Sequence, residues 1–385
     1  MIRYGAQEIT KADILEVKKV LKSDFLTQGP LVPKFEDTVK KYCCAKYAVA
    51  VNSATSALHI ACLSLNLGPK DIAWTSPNTF VSTANCVIHC GAKIDFVDID
   101  PKTYNMCTEA LSLKLEKAEK QGKLPKIVIP VHFAGQSCDM VKIQKLSKKY
   151  GFKIIEDASH GIGASYNDHK VGSCVYSDIT VFSFHPVKII TTGEGGMAIT
   201  NNKKIFEKLY RLRTHGITSN NAFMKQRPSN EIWNYQQIEL GFNFRMTDIH
   251  AALGISQMNR LDEYVNRRNE IARKYNNALI NLPITIPYLM PKNHSSYHLY
   301  PICVKNNLKT QREIYNFLWS KDIRVNLHYI PVHRQPFYEK FGFKSGDFPI
   351  SEQFHREVIS IPIYPSLKNR QQTFVIENIK KAFSN

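Results

Sequence analysis

Short runs of apolar and β-branched residues recur through the first half of the chain, and in the stretches between them apolar positions return at helical spacing. The runs mark strands, and the intervening stretches mark helices that lie across them. Strands are predicted at 47–51, 72–75, 94–97, 126–131, 153–156 and 179–184, with one more at 197–200. Strand and helix in alternation imply an α/β architecture, a largely parallel sheet covered on both faces. Upstream, Thr10-Lys11-Ala12-Asp13 has the form of a capping box before a helix with apolar positions Ile14, Val17 and Leu21. Gln28-Gly29-Pro30 then breaks the chain before a second helix. Helical pattern dominates 248–282, and Pro283, Pro287 and Pro291 follow it as a boundary. Beyond lie a strand at 298–304, a helix near 311–319, a strand at 324–327 and a last helix from Arg370. Two domains are expected, a large α/β domain over 1–282 and a small α+β domain over 283–385. The polar stretch 218–233 reads as a surface loop.

Composition narrows the class. With 43% apolar and 22% charged residues over 385 positions, the chain can bury a large core. No run approaches the roughly 18 apolar residues of a membrane helix, and the amino terminus lacks a signal peptide's apolar centre, so no membrane partner and a cytoplasmic location are expected. Nine cysteines without a C-x-x-C pair argue against a disulfide framework and against zinc-finger spacing. The tightest group, Cys86 and Cys90 around His89, reads as core packing on a helix, and no metal is expected. A net charge of +18 favours anionic partners. The paired lysines at 18–19, 40–41, 148–149 and 203–204 sit at helical spacings and read as solvated faces, which favours a phosphorylated small molecule over nucleic acid.

Chemistry concentrates after the strand at 179–184. Ser183-Phe184-His185-Pro186-Val187-Lys188 leads into Thr191-Thr192-Gly193-Glu194-Gly195-Gly196, which sets one lysine between a buried strand and a glycine-rich turn. A lysine whose surroundings lower its pKa can form a Schiff base, and pyridoxal 5′-phosphate sites pair such a lysine with an acid at the pyridine nitrogen. Asp157, at the end of Lys153-Ile154-Ile155-Glu156-Asp157, is the candidate acid, because it emerges where parallel strands collect ligands. Asn52-Ser53-Ala54-Thr55-Ser56-Ala57-Leu58 follows a strand directly and opens a helix, whose free amides suit a phosphate. The same residues also serve as an ordinary helix cap. Ser183 can add a hydroxyl to that phosphate, and Phe80 can offer a flat face to a ring.

Taken together, these segments and Leu240-Gly241-Phe242-Asn243-Phe244-Arg245-Met246-Thr247 resemble the DegT/DnrJ/EryC1/StrS sugar aminotransferases over nearly the whole chain and in the same order. The resemblance implies a type I aminotransferase fold, a mixed, mostly parallel seven-stranded sheet with a smaller carboxyl-terminal domain, acting as a homodimer. It implies Lys188 as the Schiff-base lysine, Asp157 as the partner of the pyridine nitrogen, and His160 near the ring hydroxyl. Ala54, Thr55 and Ser183 match the phosphate cradle and Phe80 the stacking aromatic, and Asn243 matches an asparagine that reaches the neighbouring subunit's phosphate. Many relatives have Ser-Gly-Thr where this chain has Ser53-Ala54-Thr55, so ordinary helical geometry is expected at Ala54. The cofactor would alternate between pyridoxal and pyridoxamine phosphate.

Within the group, Tyr4-Gly5-Ala6-Gln7, Asp24-Phe25-Leu26-Thr27-Gln28-Gly29-Pro30 and His328-Tyr329-Ile330-Pro331-Val332-His333 are particularly similar to the branch that serves pseudaminic acid formation. That likeness implies amination at C4 of UDP-2-acetamido-2,6-dideoxy-β-L-arabino-hex-4-ulose with L-glutamate as donor, for bacterial glycan or flagellin modification. Tyr4, Asp24, Phe25, Leu26, Thr27, His328, Tyr329, Ile330 and Pro331 match its substrate-lining segments. The competing readings are other nucleotide-linked 4-keto-6-deoxy sugars, a dehydratase in which histidine replaces the lysine, and a nucleic-acid-binding protein on the same fold. Retention of Lys188 opposes the second, and the lack of any added DNA-binding module opposes the third.

Overall fold

Seven of the apolar runs hydrogen-bond into one sheet. In the computed structural model, which describes residues 1–225, 231–305 and 310–384, these are β1 (Tyr47–Val51), β2 (Ile72–Thr75), β3 (Lys93–Phe96), β4 (Ile127–Ile129), β5 (Lys153–Asp157), β6 (Ile179–Ser183) and β7 (Gly196–Thr200). Their order is β1-β7-β6-β5-β4-β2-β3. β7 runs antiparallel to both of its neighbours, and the other pairs are parallel. β6 and β7 are buried along their whole length, as strands covered on both faces must be. The sheet is therefore mixed and mostly parallel, as expected. The strands at 94–97 and 126–131 are shifted or shorter than their apolar runs, because the flanking residues stay buried beyond the last ladder bond.

Helices cover the sheet. They are α1 (Lys11–Leu21), α2 (Leu31–Cys43), α3 (Ala54–Ser64), α4 (Ser82–His89), α5 (Thr108–Lys120), α6 (Met140–Tyr150), α7 (Lys203–Arg213), α8 (Asp248–Met258) and α9 (Leu261–Leu279). Phe35 of α2 packs tilted on Phe184 beside β6, ring centroids 5.1 Å apart, with both side chains fully buried. Burial of each such ring contributes about 2–3 kcal/mol. Gly196 lets β7 pass close to the start of α3, since a Cβ there would lie 2.5 Å from the backbone of Ser53 and Ala54.

A second core gathers Tyr300, Ile302, Ile314, Leu318, Ile359 and Ile379 around an antiparallel sheet of β8 (Ile284–Thr285), β9 (Tyr300–Val304) and β10 (Val358–Ile361). α10 (Gln311–Ser320) and α12 (Asn369–Ser384) pack on it, and α11 (Pro349–Glu357) leads into β10. Ile2 and the α9 residues Ile271, Tyr275 and Leu279 join this core. Ile2–Arg3 also pairs in parallel with Ile323–Arg324, the start of which replaces the strand expected at 324–327.

α1 begins with the predicted capping box at Thr10 and Asp13. Of its apolar positions Val17 is half-buried and Val20 is buried, but the other two predicted ones face outward. Ile14 and Leu21 are 60% and 59% exposed, whereas Asp13 is fully buried. Arg260 Nη2 donates to both Asp13 oxygens at 2.8 and 2.7 Å and Gln257 Nε2 donates to one of them at 3.0 Å, so an ion pair anchors the inner face of the helix beside buried Val20. The lysine pairs at 18–19, 148–149 and 203–204 are exposed. Part of the expected 218–233 loop, residues 226–230, lies outside the described residues; on its flanks 217–218 pair with 236–237. Among the described residues no helix is long and apolar enough to cross a membrane.

Candidate active site

The carboxyl ends of the parallel strands open into a cavity of about 760 Å³. Asp157 closes β5 and is buried at its floor. Thr83 Oγ1 donates to its Oδ2 at 2.6 Å, and the amide and hydroxyl of Ser159 donate to Oδ1 at 3.0 and 2.6 Å. These hydrogen bonds fix the direction of the carboxylate. Thr83 belongs to α4, and its hydroxyl is also 2.7 Å from that of Thr79 one turn earlier.

β6 ends at Ser183, and the chain then folds into a turn. Phe184 N–H donates to the Gly195 carbonyl and Thr192 N–H to the Phe184 carbonyl, at 2.9 and 3.0 Å. This turn puts Lys188 in the cavity wall with Asp157, as the order of motifs predicts. Removal of water pulls the lysine from its ordinary 10.5 down to about 8, against the opposing pull of the Asp157 charge. Near neutrality a useful fraction of such an amine is unprotonated and nucleophilic.

Histidines make up much of the remaining wall. His160, His298 and His328 are all buried, and all three are pushed down by burial and then by neighbouring charge that includes Lys188; His328 falls to about 3. They are neutral rings beside the lysine. His160 packs on His298 with centroids 4.3 Å apart, and its Nε2 is 3.1 Å from the Tyr329 hydroxyl. His328 Nδ1 is 2.9 Å from Ser360 Oγ, and Tyr4 packs on the His328 ring at 5.2 Å.

At the opposite end the chain leaves β1 and enters α3. Ser53 Oγ accepts from the Ser56 amide at 3.1 Å, the predicted cap. Ala54 and Thr55 occupy the first turn, where backbone amides lack intrahelical acceptors and the helix dipole favours an anion. Ala54 has no positive φ, as expected for a residue with a Cβ. Phe80, 58% exposed, presents its ring to the cavity 6.3 Å from Tyr329. The arrangement fits pyridoxal phosphate: a helix start suits its phosphate, a held carboxylate its ring nitrogen, and a depressed lysine its aldehyde. The buried Nδ1 atoms of His160 and His298 have no partner among the described residues, which leaves polar capacity in the wall for a bound group.

Of the residues matched to the substrate segments, Tyr4, His328 and Tyr329 line this cavity. Asp24, Phe25, Leu26, Thr27, Ile330 and Pro331 do not. The 24–27 segment is exposed and tied to α8, where Thr27 bridges Thr247 and the Leu26 carbonyl accepts from Asp248 N–H at 3.0 Å. Asn243 is exposed, bridged to Thr214, and also outside the cavity of a single chain. Thr83, Ser159, His298 and Asn326 are site residues that the sequence reading passed over. Helical spacing of Thr79 and Thr83 was a usable signal, whereas His298 and Asn326 come from the distant carboxyl-terminal third and meet the site only through folding.

The whole arrangement suits an enzyme that handles a carbonyl through a lysine and a phosphorylated cofactor. The sequence model of the DegT/DnrJ/EryC1/StrS aminotransferase family matches residues 7–380. The chain belongs to this family and is a pyridoxal 5′-phosphate-dependent sugar aminotransferase. It is 38% identical over 382 residues to the spore coat polysaccharide biosynthesis protein SpsC of Bacillus subtilis, across 98% of this chain and 96% of that one. It is 36% identical over 395 residues to the UDP-4-amino-4,6-dideoxy-N-acetyl-β-L-altrosamine transaminase of Campylobacter jejuni, across 100% of both chains. Among solved structures, PseC of Helicobacter pylori, an aminotransferase involved in the biosynthesis of pseudoaminic acid, superposes with a TM-score of 0.89 at 30% identity, across 100% of this chain and 99% of that one.

Proposed function

We propose that the enzyme transfers the amino group of L-glutamate to C4 of UDP-2-acetamido-2,6-dideoxy-β-L-arabino-hex-4-ulose, giving UDP-4-amino-4,6-dideoxy-N-acetyl-β-L-altrosamine for pseudaminic acid formation and the glycans, flagellin among them, that carry it. The observation that carries this reading is the pairing of Lys188 and Asp157 in one cavity, in a chain that matches the Campylobacter transaminase from end to end. When bound, pyridoxal phosphate supplies an aldehyde and an electron-withdrawing ring.

The protein's own residues do the rest. Asp157, oriented by Thr83 and Ser159, holds a proton on the ring nitrogen. Ala54, Thr55 and Ser183 hold the phosphate, Phe80 covers a ring face, and His160, braced by Tyr329, stands near the ring hydroxyl. Lys188, with a pKa near 8, takes the proton from the α-carbon of glutamate and later delivers one to sugar C4 from a single side, which sets the product's configuration. Tyr4, His328 and Tyr329 line the sugar side. The exposed Ile14, Leu15 and Leu21 of α1, the exposed 24–27 segment and exposed Asn243 support a homodimer in which a second copy completes the cleft and Asn243 reaches its neighbour's phosphate.

The similar identity to SpsC favours a second reading, amination of a different nucleotide-linked 4-keto-6-deoxy sugar. One experiment separates them. Protein loaded with pyridoxal phosphate is treated with glutamate until its visible band is lost, then offered the UDP-linked L-sugar or its GDP- and dTDP-linked counterparts. Return of the band with an amino sugar from the UDP substrate supports the first reading, and return with another nucleotide sugar supports the second. No loss of the band with glutamate would overturn both.

A further inference from the structure

α9 buries an arginine whose hydrogen bonds go to backbone and not to an acid. Arg268 is fully buried, and no carboxylate among the described residues pairs with it. Its Nη1 donates to the carbonyls of Tyr297, His298 and Ile363 at 3.1, 3.3 and 2.9 Å, while Nε and Nη2 find no partner among the described residues. A guanidinium keeps its charge at neutral pH, and burying one without a carboxylate is less stable than burying an apolar side chain of similar volume. Packing therefore does not account for Arg268. Its three acceptors do.

Two of those carbonyls belong to the segment that enters the cavity. His298, just before β9, lines the cavity with Lys188, and its ring packs on that of His160 with centroids 4.3 Å apart. Tyr297 beside it has a φ of +43°, in the left-handed region that a residue with a bulky side chain rarely adopts. Neighbouring bonds tie down the start of the segment. Asn269 Nδ2, next to Arg268 on α9, donates to the Ser295 carbonyl at 2.9 Å, and Ser296 Oγ donates to the His160 carbonyl at 2.6 Å. Arg268 then holds the two peptide units on either side of the His298 side chain, and through Ile363 joins them to the carboxyl-terminal core. We propose that Arg268 is a positioning residue of the aminotransferase site, a clamp that fixes the backbone on both sides of His298 and so holds the His298 ring in the cavity wall against which substrate binds.

The missing acid fits this role. Burial, then His160, Lys188 and Arg268, hold His298 well below the ordinary histidine value. A carboxylate beside the clamp would draw a proton onto the ring and set a second cation near Lys188, whereas an unpaired guanidinium aims the ring and keeps it neutral. Without the clamp, Tyr297 would relax toward ordinary backbone geometry and swing His298 off His160. The sheet that carries Asp157 would stay in place, so the damage would fall on the substrate side of the cavity and not on the cofactor side.

The test compares the parent with Arg268→Met, which keeps the length and loses both charge and donors, and Arg268→Lys, which keeps the charge and a shorter donor. The full chain, folded by circular dichroism, carries 15N in its imidazole rings, and the His298 signals are assigned by their loss in His298→Gln. In the cofactor-free Arg268→Met protein the His298 signals should shift while those of His132 stay in place, and Arg268→Lys should show a smaller shift of the same signals. Loaded with pyridoxal phosphate, Arg268→Met should hold the cofactor as the parent does and lose its visible band in L-glutamate about tenfold more slowly. Added to His298→Ala, Arg268→Met should cause no further slowing. This kinetic arm rests on glutamate as donor and requires a parent that responds to it; the spectroscopic arm needs no substrate, so failure of the donor reading is distinguishable from failure of the clamp. Unmoved His298 signals in whichever Arg268 variant folds would overturn the proposal, as would equal movement of every histidine signal or losses that multiply in the double variant.

Discussion

Replacing Lys188 with methionine should stabilise the cofactor-free protein at neutral pH. Ionised Lys188 sits where its pKa has fallen from 10.5 to about 8. At about 1.4 kcal/mol per unit, holding the charge there costs about 3 kcal/mol relative to the unfolded chain. The sign follows from proton counting. Below about pH 8 the lysine is charged in both states and the full cost applies; between about 8 and 10.5 the unfolded chain binds more protons than the folded one, and the cost fades as pH rises. Methionine, similar in length and uncharged, removes it. The measurement is urea unfolding of both proteins, stripped of cofactor, from neutral to strongly alkaline pH, read as the difference between them so that other titrations cancel. An advantage of about 3 kcal/mol at neutral pH that closes toward about pH 10.5 is expected. A variant less stable than the parent at neutral pH, or a difference that does not change with pH, would refute the account of Lys188 as a desolvated charge.

Thr83→Val removes the hydroxyl that donates to Asp157 at 2.6 Å; it should cost about 2 kcal/mol in urea unfolding at neutral pH, as loss of a hydrogen bond to a charged group does, with Thr83→Ser close to the parent. Behind Asp157, His132 Nε2 lies 2.6 Å from Glu156 Oε2, and contacts with Cys138 and Glu156 outweigh burial to raise the ring's pKa to about 10. Glu156 is held below its ordinary value, burial opposing and the His132, Ser177 and Thr180 bonds prevailing. Its stabilisation is therefore complete above the unfolded carboxylate's pKa and lost as pH falls through the lowered folded value, so Glu156→Gln should cost about 3 kcal/mol at neutral pH with the gap narrowing in acid. For the proposed homodimer, Ile14→Asp with Leu21→Asp changes an exposed face and should leave the fold intact by circular dichroism while sedimentation shows single chains; an unchanged dimer would move the interface off α1.

Much of this enzyme could be read from residue order, and the gaps have physical causes. Strands buried on both faces leave unbroken apolar runs, so β1, β2 and β5 could be read closely, and Asp157 and Lys188 could be placed by the rule that ligands collect at the carboxyl ends of parallel strands. Helix amphipathicity was a weaker guide. In α1 the spacing of Ile14, Val17 and Leu21 identified the helix but not which side faces the core, because buried Asp13 bonded to Arg260 anchors a face shared with Val17 and Val20 and leaves Ile14 and Leu21 exposed. An ion pair between residues so far apart leaves no local trace. For the same reason His298 and Asn326 escaped notice, since each looks like an ordinary residue beside a short strand until the carboxyl-terminal core brings it to the cavity.

The wall that these late residues complete explains why Lys188 can be both depressed and useful. Asp157 alone would raise the lysine toward its ordinary value, and a second acid in the wall would make it a permanent cation. Instead its neighbours on the other side are histidines that burial keeps neutral, His328 lowest at about 3. They supply hydrogen-bonding edges without adding charge, so the lysine stays close to the point where it can take up and release a proton near neutral pH. Replacing His328 with glutamate tests this balance directly. A carboxylate there should lift the Lys188 pKa by more than a unit, which competitive acetylation of the cofactor-free protein across pH would register as a later onset of Lys188 labelling, whereas His328→Gln, neutral and similar in reach, should leave the onset where it was. Equal onsets in the two variants would mean that desolvation by the cavity walls sets the lysine regardless of the charge beside it.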